Sequence, residues 1–309
     1  MKIYIFTPNK EALFTPELEA SLKPSFDIVF YTQVKPLEEH TDFLADESEK
    51  IVAIDPDFFG WTFKQDKIDM MKNVKAICLQ TTSYSWIDSD YAKSKNIPVL
   101  NIQGYCTEAV AEYALFLAFG VARKMALVAQ KEYVQDFVAH QGIDLRGRTA
   151  GVIGLGRIGS SIATLAKGIG MNVKYWSKDT KNEAFKYSEI KELLQTSDVV
   201  FVALAQNDDT AKILTDDLLQ SMKKDSIFVN ILVKQRIFNH DLIVKMVQTG
   251  KLYGYGYEED NGKPTKYEGN IFVLPSLAWA TKEAMTLNAT MWVDSMISAG
   301  TGEYKNQIN

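Results

Sequence analysis

The chain has 309 residues, of which 46% are apolar and 24% charged, an ordinary globular balance with length for about two domains. With 39 acidic and 34 basic side chains the net charge is −5, which excludes a general nucleic-acid surface. No apolar run reaches the roughly 18 residues of a membrane span, and Met1–Phe6 reads as a first strand rather than a leader, so a cytoplasmic chain without membrane contact is expected. Two cysteines, Cys78 and Cys106, make neither a disulfide framework nor a zinc cluster.

In chain order, Lys2–Thr7, Phe26–Tyr31, Ile51–Ile54, Ala76–Leu79 and Val99–Asn101 read as buried strands, with helical segments such as Glu17–Leu22 and Lys67–Lys72 between them. That alternation predicts βαβ units and a parallel sheet, because parallel strands need a crossover. A long helix is expected from Thr107 to about Lys124, with Val110, Ala114, Leu117, Ala118 and Val121 on one face. The rhythm resumes after Asp144-Leu145-Arg146-Gly147-Arg148, with strands Thr149–Ile153, Asn172–Trp176, Val199–Ala203, Ile227–Asn230 and Gly254–Tyr257. Thr281–Ser298 is apolar enough for a packed helix. Two Rossmann-like halves joined by a long helix are the expected architecture.

The strongest local signal is Gly151-Val152-Ile153-Gly154-Leu155-Gly156-Arg157-Ile158-Gly159. A bare G-x-G-x-x-G is weak, but here it leaves an apolar strand and opens a helix, Ile158 to Ile169. In that setting Gly154 makes the tight turn, Gly156 lets backbone approach a pyrophosphate, and Gly159 allows close helix–strand packing. The bland alternative is a glycine turn that binds nothing. At the end of the next strand an acid would hold a ribose 2′-hydroxyl. The chain instead reads Trp176-Ser177-Lys178, with no acid until Asp179. Ser177 removes the repelling charge, and Lys178 with Arg157 could pair with a 2′-phosphate, which favours NADP over NAD; otherwise Lys178 is a solvated loop charge.

With this loop, collinear segments give the chain its resemblance to the D-isomer-specific 2-hydroxyacid dehydrogenases. They include Ile87-Asp88, Ile97-Pro98-Val99, Ala109-Val110-Ala111-Glu112-Tyr113, Asp144-Leu145-Arg146-Gly147, Ser197-Asp198-Val199-Val200, Val229-Asn230, Gly250-Lys251-Leu252 and Glu283-Ala284. The resemblance implies an α/β fold of two Rossmann-like domains with a cleft between them. A flavodoxin-like substrate domain would take residues 1–103 plus 283–309, and a dinucleotide-binding domain 104–282. It implies a small-molecule substrate, a homodimer, and cofactor contacts from Ile158, Leu204, Ala205, Thr210, Ile231 and Glu258 besides the glycine loop.

In that family an Arg clamps the substrate carboxylate, a His donates the proton as hydride arrives, and a Glu orients the His. This chain departs at all three places. Ser276 stands at the His position, after Leu274-Pro275, and Lys263, before Pro264, at that of the Glu. The Arg position falls on Lys234 by the following helix and on Val233 by counting from Asn230, with Arg236 close by; Lys234 would keep the charge but lose the bidentate fork. Thr81-Thr82-Ser83-Tyr84 replaces the usual glycines of the substrate loop, so Thr82, Ser83 and Tyr84, with Lys234 and Trp279, are the substrate-contact candidates.

For a replacement proton donor, Tyr84, Tyr105, Lys234 and Lys263 are candidates, although a Lys is far more often a surface charge. The histidines read as structural: His240 as an exposed residue at a helix start, His40 in a solvated run with Glu38, Glu39 and Asp42, and His140 in a polar stretch. Trp86, Tyr255, Tyr257, Trp279 and Trp292 could line a pocket or a subunit interface, with core or dimer packing favoured for Trp292. Three functions fit. One is an NADP-linked reductase of a 2-oxo acid or related carbonyl with altered proton donation. The others are a silent cofactor-binding sensor or partner-binding protein, and an old scaffold turned to other chemistry.

Overall fold

A computed structural model describes residues 1–205, 209–232, 237–259 and 265–309, which form two compact units. The first comprises Met1–Tyr105 and Thr281–Asn309, the second Cys106–Ala280.

In the first unit, β1 (Lys2–Phe6), β2 (Asp27–Tyr31), β3 (Lys50–Ile54), β4 (Val74–Leu79) and β5 (Val99–Leu100) form a parallel sheet in the order β2-β1-β3-β4-β5. A sheet covered on both faces needs apolar residues at successive positions, and β3 is buried throughout. Alternate residues serve opposite layers. Ile3, Ile5, Ile51 and Ala53 pack with Trp292, Val293 and Met296 of the final helix, Lys282–Thr301. Tyr4, Phe6, Val52 and Ile54 pack instead with Phe43, Phe58 and Trp86. The final helix starts where the Thr281 hydroxyl accepts the Ala284 N–H, and it ends at Gly302 in the left-handed region. Asn309 fastens the tail: its side chain accepts the Val99 N–H at 2.9 Å and donates to the Ile97 carbonyl at 2.9 Å, covering the exposed edge of β5.

In the second unit, seven strands run in the order β12-β11-β10-β9-β6-β7-β8, every described pairing parallel. They are β6 (Thr149–Ile153), β7 (Asn172–Trp176), β8 (Lys186–Tyr187), β9 (Val199–Val202), β10 (Ile227–Asn230), β11 (Gly254–Glu259) and β12 (Ile271–Pro275). The helix Thr107–Ala122 presents Ala111, Ala114, Leu117, Ala118 and Val121 to one face, beside Ile162, Ala163 and Ala166 of the helix Arg157–Gly168. The other face is covered by Leu193, Leu194, Ile243, Val244 and Val247. Two strands escape the hydropathy pattern. β8 has two residues, and β12 ends on Pro275, acceptable because it is an edge strand.

His40 and His240, with Trp86, Tyr255 and Tyr257, lie deeper than expected, whereas Trp292 packs in the core as favoured. His40 is not solvated: it is 5% exposed, packed against Phe6, Tyr31 and Phe58, and its Nε2 has no hydrogen-bond partner. Its neighbours Glu39 and Asp42 face outward while the ring fills a gap in an aromatic layer, so local charge misleads here. His240 is half-buried, its ring nitrogens 3.3 Å from the hydroxyls of Tyr255 and Tyr267. Trp86, Tyr255, Tyr257 and Trp292 are core residues, and the Trp292 indole donates to the Cys78 carbonyl at 3.0 Å.

Candidate functional site

Because the strands of the second unit are parallel, residues that follow them collect along one edge of the sheet. Gly154 follows β6, Ser177 follows β7, Ala203 follows β9 and Ile231 follows β10, while Glu258 is the penultimate residue of β11. The strand order reverses between β6 and β9, the place where open α/β sheets bind ligands.

At that point the chain turns sharply. Gly154 has φ +93° and donates its N–H to the Trp176 carbonyl at 2.8 Å. The helix Arg157–Gly168 crosses so close that a Cβ on Gly159 would lie 1.9 Å from the Gly154 carbonyl oxygen. Gly156 differs: a Cβ there would meet nothing within 4 Å, and no side chain caps the helix it precedes. The first amides of the helix and the positive end of its dipole thus lie beside open space at Gly156, which suits a pyrophosphate. The residues present fit a dinucleotide.

Beside β7, the Ser177 hydroxyl accepts the Thr180 N–H at 3.3 Å, and the Lys178 ammonium lies 3.4 Å from the Asp209 carboxylate, both well exposed. Arg157 is exposed at the start of its helix. Beyond β9, the Thr210 hydroxyl donates to the carbonyl of Ala205, the residue after Leu204, at 2.6 Å. Beyond β10, the buried Asn230 side chain donates to the Leu232 carbonyl at 2.8 Å and accepts the Leu232 N–H at 3.2 Å, fixing the turn that presents Ile231.

These turns enclose a cavity of about 170 Å³ walled mainly by Val110, Ile158, Leu204, Ile231, Glu258 and Trp279. Apolar groups dominate the wall, and Glu258 is its one ionisable side chain among the described residues. Glu258 is only 2% exposed, and its Oε1 accepts the N–H groups of both Leu277 and Ala278 at 2.7 Å. The carboxylate therefore ties the end of β11 to the turn after β12, the segment holding Ser276 and Trp279. Tyr113, from the helix Thr107–Ala122, places its hydroxyl 3.4 Å from the Pro275 carbonyl, next to Ser276. Burial, reinforced by the charge of Glu258, pushes its phenol pKa up to about 12.

In the first unit, the loop after β4 carries Thr82, Ser83 and Tyr84. The Thr82 hydroxyl donates to the Ile102 carbonyl at 2.7 Å, the Ser83 N–H points to the Thr81 hydroxyl at 3.3 Å, and Tyr84 is 44% exposed. Tyr105 packs at the edge of the first unit's core. Lys234 and Lys263, with Val233 and Arg236, lie outside the described residues. The turn at Asn230, the double acceptance by Glu258 and the placement of Tyr113 escape sequence reasoning; only the family-like stretches holding these residues hint at them.

A sequence description of the D-isomer specific 2-hydroxyacid dehydrogenase NAD binding domain matches residues 113–278, more than half of the chain. A glyoxylate reductase of Thermococcus litoralis is 28% identical over 266 residues, covering 78% of this chain and 80% of that protein. An acyclic imino acid reductase, solved in complex with NADPH and D-Arg, shares the fold over the whole of both chains with TM-score 0.82 and 24% identity. D-lactate dehydrogenase from Lactobacillus jensenii, solved with NAD⁺, does so with TM-score 0.79 and 19% identity. The chain is an NAD(P)-dependent oxidoreductase belonging to the D-isomer specific 2-hydroxyacid dehydrogenase family.

Proposed function

We propose that the chain uses NADP(H) in preference to NAD(H) to reduce a 2-oxo acid or a related small carbonyl compound, with a proton source other than the histidine of its relatives. The observation that carries this reading is the open cradle at Gly156 beside the mainly apolar cavity walled by Ile158, Leu204 and Ile231. A nicotinamide bound there would supply hydride. The residues of the chain hold the phosphates through the first amides of the helix Arg157–Gly168, exclude water with the apolar wall, and fix the turn at Ser276 through Glu258.

The NADP preference rests on Ser177, Lys178 and Arg157. A 2′-phosphate, with up to two negative charges, would draw Lys178 away from the single carboxylate of Asp209, an exposed pair that contributes little by itself. One relative in fold is solved with NADPH and another with NAD⁺, so both nucleotides are compatible with this architecture. Lys234 and Lys263 are our candidates for holding the substrate carboxylate and for proton transfer. Thr82, Ser83 and Tyr84 of the first unit, the proposed substrate domain, are the substrate contacts together with Trp279.

A cytoplasmic homodimer completes the reading. The second unit leaves Phe116, Phe119, Tyr133 and Val134 exposed, with Phe137 and Val138 at 81% and 87%, an apolar surface of the kind a second copy covers. No described helix is long and apolar enough to cross a membrane. A second reading, a cofactor-binding protein without turnover, is favoured by one observation, Ser276 at the position of the proton donor.

Titration of NADPH and NADH by fluorescence, then addition of 2-oxo acids to the same sample, tests the proposal. Tighter binding of NADPH and its oxidation by one of the acids are expected. Binding without oxidation would move the reading to the silent alternative. No binding would overturn the cofactor assignment.

A further inference from the structure

Tyr255 and Tyr257 occupy alternate positions of β11, so both rings fall on one face of the sheet, where they stack 4.6 Å apart and are fully buried. A buried phenol needs a partner for its hydroxyl. The Tyr257 hydroxyl lies 3.1 Å from both Glu259 Oε1 and the Tyr267 hydroxyl. The His240 ring joins the two tyrosine pairs, with Nε2 3.3 Å from the Tyr267 hydroxyl and Nδ1 3.3 Å from that of Tyr255. A hydrogen bond from the Asn230 side chain also reaches Tyr255.

Counting protons gives these bonds one direction. Glu259 also accepts the Thr265 N–H and hydroxyl, as an ionised carboxylate does. Tyr257 therefore gives its single proton to Glu259 and accepts that of Tyr267. Tyr267 then accepts from His240 Nε2–H, which leaves a lone pair on Nδ1 of the neutral ring to take the Tyr255 proton. Tyr255 accepts one amide proton of Asn230; the other goes to the Leu232 carbonyl, and Asn230 Oδ1 holds the Leu232 N–H. The relay thus ends on Leu232, which with Ile231 walls the cavity of this unit.

A proton added at Nδ1 reverses the link to Tyr255. The phenol then receives from both His240 and Asn230, and its own proton competes with the Leu232 N–H for Asn230 Oδ1. Tyr255 is wholly buried, so water does not relieve the conflict. We propose that His240 is a positioning residue of the cofactor site: its neutral ring, acting through Tyr255 and Asn230, holds the Ile231–Leu232 turn in the form that receives the dinucleotide. The proposal rests on the reading above that this cavity belongs to the dinucleotide site, and it adds a pH dependence to binding there. The described groups around the ring are the phenols of Tyr255, Tyr257 and Tyr267, and the carboxylates of Glu259 and of Asp241 on its own helix, His240–Gln248. Asp216, from the helix Asp216–Gln220, bonds to Asn239 at 3.0 Å. Burial outweighs the carboxylates and favours the neutral ring.

Calorimetry of NADP⁺ binding to the full-length protein between pH 7.5 and 5 tests this, beside His240→Asn and Tyr255→Phe. The Asn amide keeps an acceptor in the place of Nδ1 but does not titrate. Affinities are taken as ratios to the Asn variant at each pH, so that ionisation of the 2′-phosphate cancels. The parent protein should lose at least fivefold against the Asn variant as the pH falls. Tyr255→Phe should bind about tenfold more weakly than the parent at pH 7.5, without that relative loss. A second readout needs no variant: followed by NMR in the parent protein, the His240 imidazole should titrate at lower pH with NADP⁺ bound, because linkage is reciprocal. A merely structural role would not move that titration. A parent-to-Asn ratio constant with pH, or a His240 titration unmoved by NADP⁺, overturns the proposal and leaves the reductase reading standing. No binding of NADP⁺ by the parent at pH 7.5 overturns both.

Discussion

Gly156 and Gly159 stand three residues apart in one loop, yet their substitution by Ala should have opposite consequences. At Gly159 the added Cβ would sit 1.9 Å from the Gly154 oxygen and 2.9 Å from its carbonyl carbon, both backbone atoms that no rotamer change can remove. Helix and strand must separate, at about 3 kcal/mol or more; at about 2–4 °C per kcal/mol for a unit of this size, Tm falls by roughly 6–12 °C. At Gly156 the Cβ meets nothing within 4 Å, and φ is −73°, accessible to Ala. Loss of a favoured capping residue costs up to about 1 kcal/mol, offset by about 0.4–1 kcal/mol from the less flexible unfolded chain, so Tm should hardly move. The methyl group instead enters the cradle. An overpacking cost of about 1–3 kcal/mol on the complex weakens NADPH binding by about 5- to 150-fold. Differential scanning fluorimetry without cofactor and fluorescence titration with it separate the two effects. Gly156→Ala binding NADPH like the parent protein would refute the placement of the phosphates.

Further outcomes follow from the same geometry. Glu258→Ala strands the N–H groups of Leu277 and Ala278, and should cost about 2 kcal/mol or more in chemical denaturation. Glu258→Gln keeps an acceptor oxygen and should cost clearly less than the Ala variant. Trp292→Ala empties the centre of the first unit's core and leaves the Cys78 carbonyl without its indole donor, so a loss of about 3–5 kcal/mol is expected by the same assay. Asp209→Asn removes the charge that holds Lys178 and should tighten NADPH more than NADH, whereas Lys178→Ala should weaken NADPH selectively, both read as Kd ratios.

Acid sensitivity has a definite sign. Burial outweighs the opposing charges of Asp42 and Glu39 around His40, and those of Asp241 and Glu259 around His240, and lowers both pKa values from the usual 6.5. The unfolded chain therefore takes up protons first. Stability from these groups is complete above about 6.5, falls as pH drops below that value, and levels off once the folded imidazoles also titrate. Denaturant midpoints measured across this range should show the fall, and His40→Phe should flatten it. A midpoint that rises as the pH drops through 6 would contradict this reading of both rings.

The parts of this protein legible in its sequence are those fixed by local rules. Most strands of both sheets announce themselves as apolar runs, and the glycine loop by its place between a strand and a helix. What escapes depends on contacts between distant residues. Nothing near Glu258 says that its carboxylate caps a turn 19 and 20 residues later. Tyr113 looks like one more residue of an apolar helix until β12 brings Pro275 against it. His40 lies among charges along the chain, but the fold turns those charges outward and the ring inward to Phe6 and Phe58. β12, with a proline at its end, does not stand out as a strand until its edge position is known.

The most direct test of hydride transfer at this site uses NADPH deuterated in turn on each face of C4 of its nicotinamide, with a 2-oxo acid that the protein reduces, and mass spectrometry of the product. One of the two cofactors should deliver a single deuterium to C2 of the product. A protein that binds both and delivers deuterium from neither would show that the cradle at Gly156 no longer serves redox chemistry.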